Sequence, residues 1–84
     1  MGVRKHYATI HFRDNTDVTY MVKPDGHLEV DFETPARRGT KYLSLLKDGT
    51  ILKQDGYSPS EVDFCRRFLH TNLPLIERMA MDDA

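Results

Sequence analysis

The chain has 84 residues, 30% of them charged, and a net charge of −1 at pH 7. This length suits one domain, and we expect a single unit spanning residues 1–84. The near-neutral charge excludes a global attraction to nucleic acid or anionic lipid. No apolar run approaches the roughly 20 residues of a membrane span. The single cysteine excludes an intramolecular disulfide, so the expected location is the cytoplasm.

Three segments alternate between apolar and polar residues in the way that half-buried strands do: 7–12, 17–23 and 27–33. The inward faces predicted from this alternation are Ala8, Ile10 and Phe12, then Val18, Tyr20 and Val22, then Leu28, Val30 and Phe32. Tyr7, Thr9 and His11 are expected on the opposite face. Turn-forming residues separate the segments, at residues 13–17 and at the run 24–26. Loops this short suit hairpins, so the pattern predicts an antiparallel meander.

Two further strands are expected, at 41–46 and 50–54, joined by a turn at Asp48 and Gly49. The segment 34–40 contains Pro35 and Gly39 and is expected to be a loop. All predicted strands therefore lie within residues 6–54. Alternation predicts that the covered face of the sheet is the one that bears Ile10, Val18, Val30 and Leu43.

A helix is predicted over residues 59–81. Ser58 is a capping residue, Pro59 occupies the first helical position, and Glu61 lies three residues after the cap. Pro74 falls inside this run, yet the apolar residues keep the same phase before and after it. We therefore favour one helix with a kink near residues 70–74 over two helices broken at 71–72. The predicted fold class is α+β: an antiparallel meander of four to five strands packed on one long, Pro-kinked C-terminal helix.

The apolar residues of this helix span roughly 180° of its circumference, whereas covering one sheet needs about 100°. Either the sheet wraps around the helix, or a second copy of the chain covers the excess. The residues expected to form the excess are Phe64, Phe68, Leu75 and Met79, here called the helix rim. The leading hypothesis is a non-enzymatic protein-interaction or regulatory module that self-associates as a homodimer, with another protein as a further possible partner. In the alternative interpretation, the helix rim is ordinary core.

A second hypothesis is a small nucleic-acid-binding regulator. The residues that would contact phosphates are Arg37, Arg38, Lys41, Arg66 and Arg67. Tyr7, Met21 and Tyr42 are expected to add stacking or apolar contacts from the open face of the sheet. Glu29, Asp31 and Glu33 are expected on that same solvent face, where they would repel phosphate.

A third hypothesis is a small enzyme or toxin, with His11 or His27 beside a carboxylate. No G-x-S-x-G, P-loop, H-E-x-x-H or Gly-rich fingerprint is present, so we expect no enzymatic activity and no cofactor. The four histidines show no recognised ligand spacing, so no metal site is expected. Cys65 lies in the apolar arc and is expected to be a buried, unreactive side chain. A small sheet followed by a capped helix is common among compact bacterial and phage proteins, an analogy of architecture alone.

Overall fold

The computed structural model of this chain describes residues 3–12 and 14–82, except the side chains of residues 12 and 14. Five strands precede one helix, in the order β1 Lys5–Phe12, β2 Asp14–Val22, β3 Leu28–Ala36, β4 Gly39–Leu46, β5 Ile51–Asp55 and α1 Pro59–Asp82. The expected turn at residues 13–17 is wrong from Asp14 onward, because β2 begins there and pairs with β1. Arg13 lies outside the described residues, and so does the inward orientation expected of the Phe12 side chain.

The strands form one sheet in the order β1-β2-β3-β4-β5, and every neighbouring pair is antiparallel. The predicted α+β meander with a C-terminal helix is confirmed. The short connections explain this order, because a chain that turns within a few residues must return alongside the strand that it has just left.

The expected loop at 34–40 is wrong. β3 continues to Ala36 and β4 begins at Gly39, so the turn consists of Arg37 and Arg38 alone. Gly39 adopts a φ of 96°, which lets the chain reverse at this point without a Cβ clash. Pro35 is tolerated in β3 because β2 pairs with β3 only as far as Glu33, and beyond that point β3 has a single neighbour.

The hydrophobic core lies between one face of the sheet and the helix. Its strand residues are Val18, Tyr20, Leu28, Val30, Phe32, Leu43 and Leu45, and Tyr57, Val62, Cys65, Leu69 and Ile76 complete it. The predicted inward faces of β2 and β3 are thus confirmed, except at Val22, which is 38% exposed. Strand alternation predicts the buried positions of β2 and β3, since every second residue of a strand points to the same face.

Three buried hydroxyl groups form a chain beneath the start of the helix. The Oγ1 atoms of Thr16 and Thr34 lie 2.6 Å apart, and Thr34 Oγ1 lies 2.6 Å from the Tyr57 hydroxyl. Burial raises the pKa of Tyr57 to about 12, so this hydroxyl stays protonated and remains available as a donor. The chain of hydroxyls therefore joins β2, β3 and the segment before α1 without an unpaired polar group among them.

The predicted capping box is present at the start of α1. The Ser58 backbone N–H donates to Glu61 Oε1 at 2.9 Å, and the Glu61 N–H donates to Ser58 Oγ at 3.3 Å. The helix then runs unbroken past Pro74, as the single-helix interpretation expects. Pro74 is exposed, so the carbonyl that it deprives of a donor lies on the solvent side and can bond water. Within the described residues, no helix is long and apolar enough to cross a membrane.

Candidate interaction surfaces

The helix divides its apolar arc into a buried stripe and a more accessible flank. Val62, Cys65, Leu69 and Ile76 are buried against the sheet. Of the helix rim, Phe64, Phe68 and Met79 are partly buried and pack against the core, whereas Leu75 is 56% exposed. The sheet therefore covers the stripe and leaves an apolar flank in contact with water.

Phe68 of the helix rim packs against two aromatic rings of the sheet. Its ring meets Tyr7 edge-on with centroids 6.3 Å apart, and it meets Phe32 in the same manner at 6.0 Å. Such edge-to-face pairs add to the burial of apolar area. The contacts fix Phe68 between β1 and β3, so this flank of the helix has a defined shape.

Tyr7 reaches this position because β1 contains a bulge. His6 pairs with Thr19 and Ala8 with Val18, which leaves Tyr7 as an additional residue on β1. The expectation that Tyr7 lies on the open face is therefore wrong. Strict alternation places it there, but the bulge interrupts the alternation and brings the ring to the helix.

Asn72 is the polar residue that interrupts the apolar arc, and two hydrogen bonds explain its presence. The Tyr7 hydroxyl donates to Asn72 Oδ1 at 2.7 Å, and Asn72 Nδ2 donates to the Phe68 carbonyl at 2.8 Å. A partly buried amide with both ends bonded costs little. The hydrogen bond between Tyr7 and Asn72 links the first strand to the middle of the helix, 65 residues later in the sequence.

A shallow groove of about 370 Å³ lies along this flank and is lined by Phe64, Arg67, Phe68, Thr71 and Asn72. Two of these lining residues are aromatic and three are polar or charged. Leu75 projects from the helix beyond the far end of the groove. The accessible flank thus presents both an apolar depression and an apolar projection.

Both edges of the sheet carry irregularities that oppose pairing with another strand. β1 has the bulge at Tyr7, and the β4–β5 register shifts between Ser44 and Leu45, opposite Leu52. Bulges and edge lysines, here Lys53, are common protections against strand addition. Although Ile51 and Leu52 are about 40% exposed, these features oppose the addition of another strand at either edge.

The basic residues of the nucleic-acid hypothesis do not form one patch. Arg37 and Arg38 lie in the exposed turn before β4, whereas Arg66 donates to the Gly49 carbonyl beyond the other end of β4 at 3.1 Å. An eight-residue strand separates the two ends by roughly 25 Å. The two remaining members have carboxylate partners: Lys41 lies 3.5 Å from Glu61, and Arg67 lies 2.5 Å from Asp63.

The histidines are also dispersed. His11 pairs with Asn15 near one end of β2, and His27 lies in the turn after the opposite end of β2, with its Nδ1 3.1 Å from Asp25 Oδ2. His6 contacts Thr9 on the open face. No group of three or more potential metal ligands occurs among the described residues. Cys65 is buried, which raises the pKa of its thiol to about 12 and opposes formation of a thiolate nucleophile.

Two carboxylates on the open face of the sheet are less exposed than the sequence predicts. Glu33 is exposed, but Glu29 is 8% exposed and Asp31 is fully buried. The Arg4 side chain lies above them and forms ion pairs with both. Arg4 is not among the residues predicted from the sequence, because it precedes β1 in a segment without periodicity. No local signal connects it to β3.

Comparison with known proteins identifies no relative: no family model, no curated protein and no solved structure matches this chain.

Proposed function

We propose that this chain is a non-enzymatic interaction module that binds a second copy of itself through the helix rim. The observation that supports this proposal is the spacing of the four residues. Phe64 and Phe68 are four residues apart, as are Leu75 and Met79, and seven residues separate the two pairs. The intervals between the four positions are therefore the same in either direction along the helix.

A palindromic spacing is what a two-fold symmetric helix pair requires. In such an interface the same patch meets itself, so a residue that contacts a given partner residue is contacted by its equivalent in return. When two copies of α1 pack antiparallel about a point between Thr71 and Asn72, Phe68 lies opposite Leu75 of the second copy. Phe64 then lies opposite Met79, a favourable sulfur–aromatic combination.

The shape of the flank supports the same arrangement. Leu75 is the most exposed residue of the helix rim, and the groove beside Phe68 can receive the Leu75 side chain of the second copy. Covering the exposed half of one leucine contributes about 1 kcal/mol, and each dimer contains two such contacts. Phe64, Phe68 and Met79 add the remaining apolar area at the same contact. The single cysteine, which leaves the fold independent of disulfides, supports a cytoplasmic location for this module.

The solution mass of Leu75→Asp tests the proposal, with Met81→Asp as the matched control. Met81 is 77% exposed on the same helix, but it lies on the polar side, away from the helix rim. Light scattering is expected to give twice the mass of one chain for the wild type and for Met81→Asp. Leu75→Asp is expected to give the mass of one chain with unchanged circular dichroism. A single-chain mass for the wild type at high micromolar concentration would overturn the proposal, and so would equal disruption by both variants.

A further inference from the structure

The open face of the sheet, on the side opposite α1, is strongly acidic. Strand register places five carboxylates on it: Asp17, Glu29, Asp31, Glu33 and Asp55. Among the described side chains, three positive charges oppose the five carboxylates: Arg4, Lys53, and Lys23, which follows Met21 in the alternation of β2. Lys53 Nζ lies 5.4 Å from the centre of the Tyr42 ring. The face therefore carries a net negative charge although the whole chain is nearly neutral.

Asp31 lies at the centre of this face and has no exposed surface. Its cross-strand neighbours are Thr19 on β2 and Ser44 on β4. Asp31 Oδ2 forms an ion pair with Arg4, but neither carboxylate oxygen of Asp31 has a hydrogen-bond partner among the described residues. A buried carboxylate is costly unless its oxygens are paired. Asp31 therefore provides an acceptor that the fold leaves unfilled.

The guanidinium of Arg4 shows how this site holds a cation. Its Nη1 donates to Thr19 Oγ1 at 3.2 Å and pairs with Asp31, and its Nη2 lies 3.4 Å from Glu29 Oε2. Three acceptors from β2 and β3 thus surround one planar group, a geometry that suits guanidinium better than ammonium. The side chain of Arg4 is 38% exposed and precedes β1, so it covers the site from outside the sheet.

We propose that the open face binds an extended, arginine-containing segment of another protein, and that Arg4 occupies one of its arginine positions until the segment displaces it. The charge of the face selects a cationic partner. The spacing selects an extended one, because Glu29, Asp31 and Glu33 are alternate residues of β3, roughly 7 Å apart. Arginines at alternate positions of an extended segment recur at the same interval. Asp17, which pairs with Glu33, supplies a second carboxylate for the next arginine.

The test uses a blocked peptide of alternating arginine and serine, with the lysine–serine peptide of equal charge as its control. Binding is measured by amide chemical shifts at low salt. The arginine peptide is expected to bind several-fold more tightly than the lysine peptide and to shift the amides of β2 and β3. Equal affinity for both peptides, or shifts confined to α1, would refute the assignment.

Variants separate this site from general charge effects. Glu33→Gln and Asp63→Asn each remove one exposed carboxylate, the first from the open face and the second from α1. We expect weaker binding from Glu33→Gln alone, and equal weakening by both would refute a specific face. Arg4→Ala removes the competing guanidinium and is expected to tighten binding about fivefold, and unchanged or weaker binding by the folded variant would refute the displacement of Arg4. Leu75→Asp, which is designed to prevent self-association, should bind the peptide as the wild type does. Loss of peptide binding and loss of self-association can therefore be told apart.

Discussion

The hydrogen bond between Tyr7 and Asn72 is expected to make a measurable contribution to the free energy of unfolding, because it satisfies a polar residue inside the apolar arc of the helix. Tyr7→Phe removes the donor and leaves Asn72 Oδ1 partly buried without it. Leaving such an acceptor unpaired costs about 1 kcal/mol or more, the lower end of the usual range because the site is only partly buried. For a domain of this size, about 1 kcal/mol lowers the melting temperature by roughly 4–8 °C.

The double variant Tyr7→Phe with Asn72→Leu removes both polar groups and extends the apolar surface of the helix. Replacing both partners is nearly neutral where replacing one is costly, so we expect a coupling free energy of about 1 kcal/mol between the two sites. The four proteins of this cycle are the wild type, Tyr7→Phe, Asn72→Leu and the double variant. Their urea unfolding, followed by circular dichroism at one protein concentration, measures the coupling free energy. A fixed concentration is needed because self-association stabilises by mass action. Free energies of unfolding that add within about 0.5 kcal/mol would refute the reasoning.

Two further predictions concern titratable groups of α1. Hydrogen bonding from the Ser58 backbone N–H lowers the pKa of Glu61 below its ordinary 4.5, so its carboxylate stabilises the fold above that pH and this stabilisation is lost as the pH falls through the lower folded value. Glu61→Gln should therefore show a flatter decline of melting temperature below pH 4.5 than the wild type, and parallel curves would contradict this. Burial raises the pKa of Cys65 to about 12, so the folded protein should resist thiol labelling at about pH 8 and react rapidly in urea. Fast labelling of the folded protein would show that the thiol is accessible.

The elements that depend on local pattern could be predicted from the sequence. Alternation predicted the inward residues of β2 and β3 except at Val22, and the capping residues Ser58, Pro59 and Glu61 placed the start of the helix. The apolar phase across Pro74 predicted one continuous helix, because a proline on the solvent side leaves its unpaired carbonyl to water.

The features that sequence reasoning missed depend on contacts between distant residues. Nothing near Tyr7 indicates a bulge, and only the packing against Phe68 and Asn72 makes the additional residue favourable. Pro35 reads as a strand breaker until the register shows that β2 ends its pairing at Glu33. The exposure of Leu75 at the outer part of the apolar arc follows from the helical phase. The ion pair between Arg4 and Asp31 joins residues 27 positions apart and could not be seen in either segment alone.

The irregular edge strands have a consequence for how these molecules assemble. A regular sheet edge can add one chain after another, so contact between edges propagates into fibres. Here β1 and β5 are each interrupted, whereas the proposed helix contact relates two copies by a two-fold axis and is satisfied once both are in place. Raising the concentration should therefore increase the fraction of pairs up to a plateau mass, without growth into larger particles.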